Sequence, residues 1–234
     1  MPFGFFYVDY LYIILVLPAV ILAIIAQGNV SHTFKKYSRT PSVSGMTGRD
    51  AARMVLDSHG LYHVQIEEVG GDLTDHYDPR ANVIRLSRDV YHGNHAAAIG
   101  VAAHEAGHAV QYANEYIPMK IRSAIIPATN IGSNLAVPLV LLGLIFSIPA
   151  IAYLGVLAFA LSTVFQLVTL PVEFNASRRA MGALASSGRF DEKEQRAARK
   201  VLTAAAMTYL AALAVSLANL LRLAIIAGGS RRRD

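Results

Sequence analysis

Residues with metal-binding and acid–base chemistry stand together in one short motif, HEAGH, which runs from His104 to His108. The motif lies inside the alanine-rich run 96–113, whose apolar residues recur at helical spacing and predict a helix. Residues four apart on a helix share one face, so both imidazoles can reach one ion, and Glu105 projects beside that ion. We therefore predict that His104 and His108 bind a metal ion and that Glu105 is the general base acting on a water activated by it.

The available ligand types favour zinc. Neutral imidazole nitrogens suit this ion, and the chain contains no cysteine, which leaves histidines and carboxylates as ligands. A catalytic zinc site needs three protein ligands, with one position left to water. We therefore expect one Zn2+ per chain and a third ligand outside the pair of motif histidines.

The helix of the motif does not itself offer a convincing third ligand. Gln111 and Asn114 stand where the metzincin extension of the motif would require glycine and histidine. Glu115 lies seven residues beyond the second histidine, which is too far along the helix axis. His92 and His95 lie near the start of the helix, where we expect them to cap or solvate it. A carboxylate from another element is therefore expected.

Glu173, in the segment LPVEFNASRRA, is the candidate that the sequence singles out. It ends a long apolar segment at the point where the membrane would give way to a polar region, on the same side as the motif helix. The alternative is an interfacial carboxylate balanced by Arg178 and Arg179. From the residues alone, both readings stay open.

The elements that carry these residues belong to an unusually apolar chain. Of its 234 residues, 54% are hydrophobic and 16% are charged, and the mean hydropathy is +0.40. A soluble domain is about 45–50% apolar and about 25% charged. The composition excludes a disordered chain, collagen and a nucleic-acid-binding tail, and the absence of cysteine excludes a disulfide scaffold. We expect a lipid bilayer, and no nucleic acid, as a partner.

Charge-free segments predict a mainly α, polytopic membrane protein with three to four transmembrane helices and a small water-facing module. The predicted divisions are a first transmembrane helix at 7–27, a water-facing module with the motif helix at 30–122, a transmembrane hairpin at 124–172, a polar helical segment at 173–200 and a last apolar helix at 201–227. The stretch before the first apolar segment lacks the basic residues of a signal peptide, which favours a retained anchor.

Basic residues beside the apolar segments predict the topology. Lysine and arginine in excess mark the cytoplasmic side of a membrane segment. By this rule both polar regions are cytoplasmic, on the evidence of Lys35, Lys36, Arg39, Lys120, Arg122, Arg178 and Arg179. The arginines at 231–233 would lie outside if 201–227 crossed fully, so the sequence leaves that span open. We expect an integral protein of a bacterial plasma membrane with its active site on the cytoplasmic side.

Three segments together carry a resemblance to a known family. HEAGH after NHAAAIGVAA, the earlier YDPRANVIRLS, and PVEFNASRRA resemble the YugP-type membrane zinc metallopeptidase family, which is distantly similar to the HtpX/Ste24-type gluzincin proteases. The resemblance implies an α+β zincin-like catalytic module in which His104, His108 and Glu173 bind zinc and Glu105 is the catalytic base. It extends over nearly the whole chain.

The resemblance also raises questions about the residues around the ion. Gluzincins commonly carry an acid four residues after the ligand glutamate, where this chain has Ser177, so Ser177 or Asn175 is expected to support a zinc-bound histidine. Gluzincins also bind substrate along an edge strand, and the short strand predicted at 82–86 is a candidate, although an ordinary strand is the alternative. The candidates for stabilising the oxyanion are His76, Tyr77, Arg178 and Arg179.

The predicted function is that of a membrane-embedded, zinc-dependent endopeptidase acting on membrane proteins or on polypeptides presented at the membrane. The alternative is a non-catalytic scaffold or adaptor with a structural zinc site, closed by a fourth protein ligand such as His76 or His95. Glu105 argues against that alternative, because a purely structural site has no use for a base beside the ion. The oligomeric state is not determined by the sequence.

Overall fold

The computed structural model describes residues 10–230, so residues 7–9 of the first predicted span and the arginines at 231–233 lie outside the described residues. A π-helical turn, Tyr12–Val16, leads into the first α-helix. The helices are α1 (Leu17–Tyr37), α2 (Gly48–Ser58), α3 (Arg88–His92), α4 (Ala96–Ala113), α5 (Ile117–Ile145), α6 (Pro149–Ser186) and α7 (Glu192–Ser230). The strands are β1 (Gln65–Val69), β2 (His76–Asp78) and β3 (Val83–Ser87).

Four helical stretches of the described chain are long and apolar enough to cross a membrane. They are Tyr12–Tyr37, Ile117–Ile145, Pro149–Ser186 and Glu192–Gly228. The last of them includes the segment 201–227, whose span the sequence left open, and it has the length and composition of the other three. The prediction of a mainly α, polytopic membrane protein with a small α+β module is confirmed.

The long helices continue across two of the predicted division points. α6 runs without interruption from Pro149 to Ser186, so the division at 172/173 falls inside it, and α7 begins at Glu192, ahead of the division at 200/201. The change from apolar to polar residues does not end the helix, because Ala, Arg and Met remain good helix formers. Between the end of α6 at Ser186 and the start of α7 at Glu192, the chain turns near Gly188, which adopts a positive φ of 64°.

Residues 10–25, 124–167 and 209–230 belong to one compact unit, in which small residues bring the helices together. A Cβ added to Gly155 would lie 2.6 Å from the carbonyl oxygen of Ala136, so the backbones of α5 and α6 touch there. Thr163 and Ser216 join α6 to α7 through a buried hydroxyl–hydroxyl hydrogen bond of 2.8 Å. Close backbone approach at small residues is typical of helices that pack in a membrane.

Residues 26–123 and 168–208 form the second compact unit, which contains the sheet and the motif helix. β3 is the central strand: it pairs with β1 in parallel and with β2 in antiparallel. The strand predicted at 82–86 therefore exists, but the expectation that it binds substrate as an edge strand is wrong, because both of its edges are hydrogen-bonded. Its side chains are mostly buried, so the apolar residues there serve a core strand.

The core of this unit lies between the sheet, α2, α4 and the adjoining parts of α6 and α7. Its fully buried side chains include Val55, Leu56, Ile84, Leu86, Val90, Ile99 and Leu184. Burying a side chain of this size stabilises the fold by about 1.5–3 kcal/mol relative to leaving it in water. The core fixes α4 along most of its length, and α4 is the helix that carries HEAGH.

Candidate metal centre

The helix that carries the motif is positioned by its own sequence and by the core. α4 begins after His95, whose Nδ1 accepts a hydrogen bond of 3.1 Å from the backbone N–H of Ala98, so this histidine is the N-cap. The expectation that His95 caps the helix is confirmed. Many of the buried residues of α4 are alanines, and their small side chains let neighbouring elements approach the backbone of this helix closely.

The closest approach to α4 occurs at Gly107, inside the motif. A Cβ at this position would lie 2.6 Å from the carbonyl oxygen of Ala176 and 3.3 Å from its Cα, closer than real Cβ atoms usually come to backbone. α6 therefore crosses α4 at a distance that only glycine allows here. This crossing places Glu173, which lies one helical turn before Ala176, beside the two motif histidines.

The candidate ligand atoms converge. The Nε2 atom of His104 lies 3.2 Å from Oε2 of Glu173, and the Nε2 atom of His108 lies 3.5 Å from the same oxygen. The two imidazole rings stand nearly perpendicular, with their centroids 4.7 Å apart. Within residues 10–230, these three form the one group of three or more His, Asp or Glu residues whose ligand atoms could hold a metal ion.

The chemistry and spacing of these donors fit zinc. Two atoms bound to a tetrahedral zinc ion at about 2.0–2.1 Å lie about 3.3 Å from each other. The two nitrogen–oxygen distances at Glu173 are close to this separation. Glu173 is only 3% exposed, and its Oε2 faces both imidazoles, so a cation bound between the three groups would offset the burial of this carboxylate together with Arg122. Two neutral imidazoles and one carboxylate are the ligands that a catalytic zinc ion takes.

Each candidate ligand has a second partner that holds it in place. Nδ1 of His104 lies 3.1 Å from the hydroxyl of Ser177, and Nδ1 of His108 lies 3.0 Å from Oε1 of Gln111. The Nη1 group of Arg122 donates a hydrogen bond of 3.3 Å to Oε1 of Glu173, which leaves Oε2 to face the histidines. Ser177 thus contacts a candidate ligand, as the sequence suggested.

Sequence reasoning missed the roles of Gln111 and Arg122. Gln111 entered only as a residue that excluded the metzincin pattern, and Arg122 only as a topology signal. A signal for Gln111 was present, because it follows His108 by three residues and therefore lies on the same face of the helix. For Arg122 there was no such signal, since it is 51 residues from Glu173 and on a different helix.

Glu105 is buried next to the first candidate ligand, with 9% exposure. Burial alone would lower the pKa of His108, but its hydrogen bond to Glu173 and the charge of Glu105 raise that pKa overall. For Asp75, burial raises the pKa of the carboxyl group, and the charge of Glu105 adds to this increase. Hydrogen bonds from Ser87 oppose it. Glu105 therefore acts electrostatically on both a candidate ligand and the half-buried carboxyl group of Asp75.

The other residues that the sequence proposed lie outside this group. His76 and His92 are exposed; a ring nitrogen of His76 contacts the carbonyl of Thr74, and one of His92 contacts the carboxylate of Glu68. Neither His76 nor His95 joins the candidate ligands.

Besides His76, two of the suggested oxyanion donors, Tyr77 and Arg179, have defined contacts. Burial raises the pKa of Tyr77 to about 12, so its hydroxyl stays protonated and donates to Oδ1 of Asn82 at 3.0 Å. The Nε group of Arg179 donates a 2.8 Å hydrogen bond to Oδ1 of Asn175. Arg178 is exposed. Arg179 is thereby connected to the network around the candidate ligands.

Comparison with known proteins identifies the family. A family model described as "Putative neutral zinc metallopeptidase" matches residues 12–228. A relative named "Putative membrane protease YugP", from Bacillus subtilis (strain 168), is 45% identical over 216 residues, which cover 92% of this chain and 96% of the relative. No solved structure matches the chain. The resemblance found in the sequence is confirmed, and the chain belongs to the family described as putative neutral zinc metallopeptidases.

Proposed function

We propose that this protein is a membrane-embedded zinc-dependent endopeptidase. In this proposal His104, His108 and Glu173 hold one Zn2+ and Glu105 is the general base. The observation that carries it is the convergence of two imidazole Nε2 atoms on one buried carboxylate oxygen, with Glu105 next in the chain to one of the histidines. Membership in a family described as zinc metallopeptidases supports the choice of metal and reaction.

The roles of the chain's own residues follow from their chemistry. A zinc ion held by these ligands would lower the pKa of a bound water and polarise the carbonyl of the scissile peptide. The Glu105 carboxylate takes a proton from the attacking water and delivers it to the nitrogen of the leaving amine. Arg122 donates a hydrogen bond to Oε1 of Glu173, which favours binding of the metal ion through Oε2 alone.

The ligand count supports a catalytic role over a structural one. A structural zinc site is closed by four protein ligands, whereas a catalytic site has three and keeps a position for water. Among the described residues the candidate group has three members, and no fourth histidine or carboxylate joins it. The alternative of a non-catalytic scaffold with a structural zinc therefore lacks a specific observation in its favour.

The proposed substrates are membrane proteins, or polypeptides presented at the membrane surface. The four apolar helices support this class, and so does the relative whose name describes a membrane protease. The active site is proposed to face the cytoplasm of a bacterial cell, because lysines and arginines follow or precede the apolar segments on that side.

The test compares wild-type protein with Glu105→Gln. Because Glu105 is not a ligand in the proposal, the variant should retain about one zinc ion per chain by elemental analysis, held by the same three ligands. Loss of a general base typically lowers the rate by about 10²–10⁴-fold. New amino termini should therefore appear in membranes containing wild-type protein and be absent with the variant. Equal cleavage by both proteins would contradict the proposal.

A further inference from the structure

Gln111 is a polar side chain in a fully buried position. Its exposure is 0%, which is unusual for a glutamine, and it lies between the motif helix α4 and helix α6. A buried amide destabilises a fold when its hydrogen bonds are not made. Gln111 makes three, one through its oxygen and two through its nitrogen, so the cost is offset and the amide is held in one orientation.

Two acceptors determine which end of the amide faces α6. The Nε2 group of Gln111 donates to the carbonyl oxygen of Val172 at 2.7 Å and to Oδ1 of Asn175 at 3.0 Å. A backbone carbonyl can only accept, so an amide oxygen cannot take the place of Nε2 there. The orientation of Asn175 is fixed in turn, because the Nε group of Arg179 can only donate and contacts the same Oδ1 at 2.8 Å.

The other end of the amide must then accept from His108. Oε1 of Gln111 lies 3.0 Å from Nδ1 of His108, and an oxygen without hydrogens can only receive a hydrogen bond. The proton of a neutral His108 is thereby placed on Nδ1. The lone pair is left on Nε2, the nitrogen that faces Oε2 of Glu173 at 3.5 Å. Metal-bound histidines usually donate their second ring N–H in this way.

We propose that Gln111 is a positioning residue, which sets the tautomer and ring orientation of His108 and so prepares Nε2 to bind the metal ion. The donor-to-acceptor chain from Arg179 through Asn175 and Gln111 to His108 maintains this setting, since the direction of every hydrogen bond in it is determined. The inference rests on the proposed function for the identity of the ligands. It adds a residue that neither the motif nor the resemblance assigns.

His104, the other histidine of the site, is held in a different way. The hydroxyl of Ser177, 3.1 Å from Nδ1 of His104, can donate or accept and rotates freely about its C–O bond. It therefore does not select one tautomer of His104 as the amide of Gln111 does for His108. Removal of Gln111 is thus expected to weaken metal binding more than removal of the Ser177 hydroxyl.

The test measures zinc affinity in Gln111→Met, which keeps the length of the side chain but removes the amide. The dissociation constant is obtained by competition with a chromophoric chelator, on metal-free protein in detergent. We expect an increase of about 10–100-fold, the usual effect of removing a partner of a metal-bound histidine. Gln195→Met is the matched control, because Gln195 also donates to a backbone carbonyl, that of Phe190, but contacts no candidate ligand.

A spectroscopic readout separates positioning from general packing. In zinc-loaded wild-type protein with ¹⁵N-labelled histidine, the Nδ1–H proton of His108 should give a protected resonance, since it is buried in a hydrogen bond. The resonance should be lost or should exchange rapidly in Gln111→Met and persist in Gln195→Met. Persistence of both this resonance and the wild-type zinc affinity in a folded Gln111→Met protein would overturn the inference.

A second variant decides the case in which Gln111→Met does not fold. Asn175→Ala removes one acceptor of the Gln111 amide at a half-buried position and leaves Gln111 in place. It should raise the zinc dissociation constant measurably above that of Gln195→Met, and wild-type affinity would overturn the inference. If wild-type protein and His104→Ala bind zinc equally poorly, the proposed function itself fails, which is a distinct result.

Discussion

Gly107 offers a direct test of how the candidate site is assembled. In Gly107→Ala the new Cβ would lie 2.6 Å from the carbonyl oxygen of Ala176, about 0.8 Å closer than the 3.4 Å at which ordinary contact begins. The neighbouring atoms are backbone, so α6 has to move away from α4. Glu173 is on the same stretch of α6, and its distance of 3.2 Å from His104 would increase.

The expected energies come from the same geometry. Overpacking of this kind costs about 1–3 kcal/mol, whereas replacing a helical glycine by alanine otherwise stabilises by about 1 kcal/mol. Gly182→Ala is the matched control, because Gly182 is an exposed glycine on α6 whose added Cβ would have nothing within 4 Å. Both variants share the gain in helix propensity. The difference between their free energies of unfolding, about 1–3 kcal/mol, is therefore the cost of the clash.

Zinc affinity should respond as well. Zinc–ligand distances tolerate deviations of about 0.2 Å, which is much less than the displacement that Gly107→Ala requires. We expect its dissociation constant to rise by at least about tenfold, equivalent to about 1.4 kcal/mol. Unfolding is followed by circular dichroism in mixed detergent micelles, as the chain has no tryptophan. If Gly107→Ala matched Gly182→Ala in stability and bound zinc like the wild type, the close crossing of α4 and α6 would be refuted as the device that assembles the site.

Two further predictions concern charge and pH. Arg122→Gln should lower the unfolding free energy of metal-free protein by about 1–3 kcal/mol, because the buried carboxylate of Glu173 loses a partner. This loss of stability should be smaller when zinc is added. An equal loss with and without zinc would contradict the prediction. Burial lowers the pKa of His95, against an opposing effect of Asp89, so the unfolded chain binds the proton more readily. The contribution of His95 to the free energy of unfolding is fully present above the ordinary histidine pKa of about 6.5, and it declines as the pH falls below that value. His95→Asn, which keeps an N-cap, should remove this part of the decline in unfolding titrations between about pH 7.5 and pH 5.5, whereas an unchanged slope would exclude His95 as its source.

The parts of the molecule that were predictable from the sequence depend on local patterns. The helix at 96–113 follows from alanine content and helical spacing, and it is α4 in the structure. The apolar segments follow from length and hydropathy, which act over about 20 consecutive residues. By contrast, the strand at 82–86 was correctly placed but wrongly interpreted as an edge, because the number of neighbours of a strand depends on pairing partners elsewhere in the chain.

The sequence by itself determined a membrane-embedded, mainly helical protein with an HEAGH helix and, through its resemblance to a family, a candidate glutamate at 173. Spacing along one helix is enough to place His104 and His108 on a common face. Only the tertiary structure decided that Gly107 lets α6 approach, that Gln111 orients His108, and that Arg122 contacts Glu173. The physical reason is that the contacts with α6 and α5 join residues 51 to 69 positions apart, and no local period encodes which distant helix a buried side chain will meet.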